Sequence, residues 1–234
     1  MKINEIEEMM TIKGFSEDLF SEYVFSLKRV KSGSLKCQHC YSTASRLKSA
    51  DFEKAIQLIQ FGIDNYAETW FDLWSSLYKM AILYDKNGLH NKAKQIYLDM
   101  LDTLEGSRRS SYESHIYYEL LRVEMHLTHF TYSKDIETYY QFAIKIDKFA
   151  QGFRSFIFYR SIAEMILFKH TRDFAKYNEA QGNAFEALDG EKLTTMDRLL
   201  KRHRYVNEAH ATEEALRFLY SKNRRISTIV IEKC

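Results

Sequence analysis

The sequence predicts an all-α fold, an α-solenoid of antiparallel helical hairpins, and three observations carry that prediction. The 234 residues include 8 Gly and no Pro, where an average composition of about 5% Pro would supply roughly a dozen. Many all-β folds punctuate their turns with Pro and Gly, so they are excluded together with collagen-like, Pro-rich and most linker-rich chains. Almost every segment carries apolar residues at the 3.6-residue period of a helix. Pairs of such segments also recur at near-constant spacing, as stacked repeats do. With 45% hydrophobic and 15% aromatic residues, the chain can bury a large core and is not intrinsically disordered.

The elements follow in order. Ser16 to Lys31 reads as an N-terminal helix, capped by Ser16 and with Glu17 and Asp18 in its first turn, where acids favour the helix dipole. Ser42 to Ser49 leads into Asp51 to Tyr66, whose packing stripe is Ala55, Ile59, Gly62 and Ile63. Trp74 to Asn87 carries Leu77, Met80, Ala81 and Tyr84 on one face, and Ile82 and Leu83 extend its apolar surface. Gly88 stops it, since glycine takes the left-handed conformation at a helix C-terminus. The next helix repeats Ala93, Ile96, Tyr97, Met100, Leu101 and Leu104 at helical offsets. So short a turn forces an antiparallel hairpin. Tyr117 to His129 then leads into Ser133 to Phe149, and Phe156 to Lys169 into Asp173 to Leu188. Aligned on Ala55, Ala93, Ile136 and Tyr177, the second helices are spaced by 38, 43 and 41 residues.

The stretch Leu77 to Leu101, LYKMAILYDKNGLHNKAKQIYLDML, resembles a tetratricopeptide repeat. Leu77 matches the family's large residue in its first helix, Met80 and Ala81 its Leu–Gly pair, Tyr84 its Tyr and Gly88 its turn glycine. Ala93, Tyr97 and Met100 fall where its second helix has Ala, an aromatic and Ala. Phe52, Ala55, Ile59 and Gly62 match the second half of the same motif. The later pairs carry Ile136 and Tyr177 where the family has a small residue, and no repeat has its closing Pro. Over Leu35 to Leu188, the resemblance implies a right-handed superhelix with a concave groove lined by the first helix of each pair. The expected organisation is N-terminal capping helices over residues 1–35, repeats over 36–188, and C-terminal helices with an apolar tail over 189–234. The last region holds a helix from Glu191 to about Glu208, another from Thr212 to Ser221, and the β-branched run Ile226 to Ile231. That run either packs on the last helix or is an edge that pairs with another chain, which makes a homodimer one candidate assembly.

Charge and motifs narrow the function. Lys plus Arg number 34 and Asp plus Glu 32, too balanced to imply nucleic acid or a membrane surface. No apolar run approaches the ~20 residues of a membrane span, and the acidic start MKINEIEEMM is not a secretory signal. Three cysteines form no disulfide framework, so a reducing cytoplasm is expected. Cys37 and Cys40, in CQHC, have chelate spacing, but a zinc site needs two further ligands and no second such pair exists. They are expected to be small buried hydrophobes, with no metal and no cofactor. H-E-x-x-H, G-x-S-x-G, P-loop and G-x-G-x-x-G motifs are all missing, so no catalytic residues are assigned and the chain is expected not to be an enzyme.

Nine Lys and Arg between Lys192 and Arg225 face four acids. Lys201, Arg202, His203 and Arg204 are contiguous and fan around a helix, so a nucleic-acid role for the C-terminal helices is the alternative and not the first choice. The first expectation is a protein- or peptide-binding module. By the geometry that the resemblance implies, Tyr78, Ile82 and Lys86 would line its groove, followed by Arg122, Met125 and His129, then Tyr159, Ile166 and His170. Such an aromatic, Met-rich and aliphatic lining suits an amphipathic helix or apolar peptide. The competing occupant of the same surface is the chain's own linkers or C-terminal helices. The carboxylate-gripping Asn of chaperone-binding family members are missing at Ile82 and Met125. Resemblance to repeat-built signalling proteins of Gram-positive bacteria and their phages implies a peptide-responsive regulatory adaptor. No DNA-binding helix-turn-helix is evident in the first 35 residues.

Overall fold

The computed structural model describes residues 2–104, 109–145, 154–189 and 212–221. Those residues are all-helical and divide into two compact units, Met1–Thr103 and Leu104–Cys234. Unit 1 holds α1 (Ile3–Lys13), α2 (Glu17–Leu27), α3 (Gly33–Ala44), α4 (Phe52–Tyr66), α5 (Trp70–Lys86) and α6 (His90–Asp102). Unit 2 holds α7 (Arg109–Leu127), α8 (Lys134–Ala143), α9 (Arg154–Thr171), α10 (Phe174–Asp189) and α11 (Glu213–Tyr220). Successive helices pack as antiparallel pairs, α1 with α2 and so on to α9 with α10. First helices also touch one another, α1 on α3 and α3 on α5 in unit 1, α7 on α9 in unit 2. This is a helical-repeat architecture. All four aligned positions, Ala55, Ala93, Ile136 and Tyr177, are at most 2% exposed.

Three of the five hairpins share one stop. Past α5 the Leu89 N–H donates to the Tyr84 carbonyl at 2.9 Å, past α7 Phe130 donates to Met125 at 2.8 Å, and past α9 Asp173 donates to Phe168 at 2.9 Å. Each bond reaches back five residues and closes around a residue in the left-handed region, as in a Schellman stop. Those residues are Gly88 at φ 74°, His129 at φ 48° and Arg172 at φ 61°. Only glycine adopts that conformation without steric cost, so the first stop is visible in the sequence and the other two are not. His129 therefore lies past the end of α7, not on the helix expected from Tyr117 to His129.

Other boundaries also shift. The first helix of the CQHC pair is α3, not Ser42 to Ser49, because Ser32 caps it by accepting the Leu35 N–H at 3.4 Å. Cys37 and Cys40 thus sit mid-helix. The helix expected from Trp74 begins at Trp70, where the Thr69 hydroxyl accepts the Asp72 N–H and Asp72 accepts the Thr69 N–H, a capping box. Within residues 1–35, α1 precedes the helix predicted from Ser16, with Ile3, Ile6 and Met10 at helical spacing. In the structure Ile6 and Met10 join Tyr23, Leu27, Cys40, Ala44, Leu58 and Ile59 in the core of unit 1. The Glu191 to Glu208 helix, the Ile226 to Ile231 tail and most of the basic C-terminal residues lie outside the described residues.

Candidate partner-binding surface

Eleven α-helices are described, and α11 alone has no antiparallel mate among the described residues. It has eight residues, and isolated helices below about 12–15 residues are marginal in water. Local signals start it: the Thr212 hydroxyl accepts the Ala215 N–H at 3.3 Å, and Glu213 and Glu214 occupy the first turn. One face is apolar, with Ala215 and Leu219 fully buried. Glu213, Glu214 and Arg217 face water, and Arg217 pairs with Glu213 one turn back.

Its seat is built from three other helices of unit 2. At its start, the Thr212 N–H donates to the Tyr159 hydroxyl of α9 at 3.2 Å, and the Thr212 hydroxyl lies 3.4 Å from His126 Nε2 of α7. At its end, Gln181 Nε2 of α10 donates to the Leu219 carbonyl at 3.1 Å. Between them the Phe218 ring stacks on Phe130, 5.6 Å between centroids, and Lys169 Nζ stands 6.0 Å above it. Tyr220 meets the edge of Phe185 at 5.3 Å. The seat therefore meets a helix at both ends, where N–H and C=O groups have no partner within the helix.

The residues expected to line a groove are distributed as follows. Tyr159 reaches α11 directly. Met125 and Ile166 are buried. Arg122 is half-buried and its guanidinium grips one Glu119 oxygen from Nε at 3.0 Å and Nη2 at 2.7 Å. His129 is exposed in the left-handed turn. His170, at the exposed end of α9, stacks on Tyr132 with centroids 3.6 Å apart. Tyr78, Ile82 and Lys86 belong to unit 1. There the Tyr78 ring stacks on Trp74 at 5.3 Å and tilts on Tyr97 at 6.1 Å, Ile82 is half-buried and Lys86 is exposed. Sequence reasoning missed His126, Phe130, Gln181 and Phe185 as seat residues. The pattern that betrays their occupant is local: a Thr cap, two acids, then Ala215, Phe218 and Leu219 at helical spacing.

The remaining polar clusters stitch helices together. Glu7 of α1 is buried and accepts from Arg46 Nη2 at 3.1 Å, and its other oxygen lies 2.7 Å from His39 Nδ1. Burial pushes its carboxyl up, but His39 and Arg46 outweigh burial and hold it below the usual carboxylate range. Asp72 Oδ2 accepts from the Ser34 hydroxyl at 2.7 Å and from the Thr69 N–H at 2.9 Å. Those donors likewise outweigh burial and lower its pKa. Burial pushes the Cys37 thiol up, and the Cys40 thiol up to about 12. Such thiols are poor metal ligands and nucleophiles. Among the described residues, no three His, Cys, Asp or Glu side chains gather as metal ligands would. No described helix is long and apolar enough to cross a membrane.

Compared with protein-family models, with curated proteins and with solved structures, the chain has no match.

Proposed function

We propose that this chain is a non-enzymatic binding module, a helical-repeat adaptor whose ligand is a helical segment of another protein or a peptide. The observation that supports this is the seating of α11: a helix too short to stand alone lies across α7, α9 and α10, with polar partners at both of its ends. Burying one leucine side chain contributes about 1.5–3 kcal/mol, and each hydrogen bond a net of about 1 kcal/mol. A surface able to hold α11 thus has the chemistry to hold another helix of the same pattern. Of the sites the sequence suggested, we favour the α7–α9 face of unit 2 over α5, because Tyr159 supplies a hydroxyl there that already binds a helix end. The buried thiols Cys37 and Cys40 suit a reducing compartment, and we read the chain as cytoplasmic. The role we assign is regulatory, through capture of the partner and without chemical conversion.

Selection of a displayed random-peptide library on the full-length chain tests this. We expect the selected peptides to converge on amphipathic sequences whose helical circular dichroism rises on binding. Convergence on extended sequences, or none at all, refutes the proposal.

A further inference from the structure

We infer that the seat of α11 is the docking site for a partner protein's short amphipathic helix, and that α11 is the internal segment holding the site when the partner is away. The inference rests on the helix-binding function proposed above and specifies its ligand. What the seat touches defines that ligand. The Tyr159 hydroxyl takes the backbone N–H of the residue that caps the helix, and Gln181 takes a carbonyl near its last turn. Both contacts are to main chain, so they read where a helix begins and ends and not which side chains it carries. An occupant must therefore be about two turns long. Side-chain selection comes from between these points. The third helical position, filled by Ala215, is fully buried and admits a small residue only. The sixth stacks an aromatic ring on Phe130, and the seventh buries a leucine. His126 favours Ser or Thr as the cap, since its Nε2 faces the Thr212 hydroxyl. The ligand class is thus a Ser- or Thr-capped helix with a small residue third, an aromatic sixth and leucine seventh.

Two features make α11 an exchangeable occupant. Its anchorage is local: among the described residues it rests chiefly on two fully buried side chains, three hydrogen bonds to other helices, the ring contacts of Phe218 and Tyr220, and Lys169 over Phe218. Its fold is also conditional, because eight residues do not sustain a helix once off the seat. Tethering raises its effective concentration, so a ligand in trans meets a site whose apparent affinity falls with the fraction of time it is open.

The test uses a fluorescein-labelled synthetic peptide of residues 212–221 and measures anisotropy on full-length protein. Leu219→Asp in the chain places a charge in the buried position and vacates the seat. We expect the peptide to bind this variant about tenfold or more tightly than wild type, as a site open a tenth of the time requires. A peptide bearing the same Leu-to-Asp change should not bind. Phe218→Ala in the chain, a milder change, should give an intermediate gain and carries the comparison if Leu219→Asp loses its helical circular dichroism. Equal binding to wild type and to the folded variant overturns the inference, as does a Leu-to-Asp peptide that binds undiminished. If library-selected helices bind Leu219→Asp while the 212–221 peptide does not, the helix-binding function stands and this ligand assignment falls. If neither binds, both fall.

Discussion

Alanine at Gly62 and alanine at Gly182 are the same chemical change in two helices, and they should move stability in opposite directions. Inside a helix, Gly to Ala normally gains about 1 kcal/mol, because glycine loses more backbone freedom on folding. At Gly182 of α10 an added Cβ meets no heavy atom of the described residues within 4 Å, so that gain should be realised in full. At Gly62 of α4 the same Cβ would stand 2.7 Å from the Cys40 Cβ and 3.3 Å from its Sγ. Ordinary carbon contacts lie at about 3.5–4.0 Å, so α3 and α4 must part by about 1 Å along a core seam. Overpacking of this kind costs about 1–3 kcal/mol. The net for Gly62→Ala is then between about zero and 2 kcal/mol of destabilisation, and the two variants should differ by about 1–3 kcal/mol. At about 4–8 °C per kcal/mol for a domain of this size, the contrast is large enough to measure. Both tryptophans, Trp70 and Trp74, lie in unit 1. Urea or thermal melts followed by Trp fluorescence therefore report that unit, while far-ultraviolet circular dichroism reports both. A Gly62→Ala protein stabilised as much as Gly182→Ala would show that the α3–α4 seam is not close-packed as described.

Three further outcomes are expected. Gly88→Ala should destabilise unit 1 by about 1 kcal/mol and Arg172→Gly should stabilise unit 2 by a similar amount, since each changes the cost of one left-handed stop. Urea midpoints check both, and an unstable Arg172→Gly would contradict a strained α9 stop. Glu7 has a depressed folded-state pKa, so its stabilisation is present above the unfolded-state value near 4.3 and is lost as pH falls through the lower folded-state value. Glu7→Gln should accordingly flatten the acid limb of the stability profile of unit 1, and an unchanged limb would remove Glu7 as its source. Cys37 and Cys40 should resist alkylation at pH 8 in the folded protein and react after unfolding, as read by peptide mass mapping, because both are buried and their thiols are held protonated. Rapid native modification of either would reopen a metal or redox role.

Helix pairing was legible in the sequence because it depends on local periodicity. Ala93, Ile96, Tyr97 and Met100 mark one stripe whatever they pack against, and Gly88 marks its stop by conformational freedom alone. Thr212, Glu213 and Glu214 likewise announce a helix start before any tertiary contact exists. Other features had no local signal. His129 and Arg172 hold left-handed turns only because the flanking helices are already paired. Glu7 is a surface residue by type, and only its juxtaposition with His39 and Arg46, more than thirty positions away, makes its burial tolerable. Met125 and Ile166 read equally well as groove lining or as core, since an apolar side chain does not encode which neighbour will cover it. Sequence alone determined that this chain is an array of helical hairpins. Tertiary structure decided what α7 and α9 face, because Tyr159, His126 and Gln181 converge on α11 only once distant segments fold onto one surface.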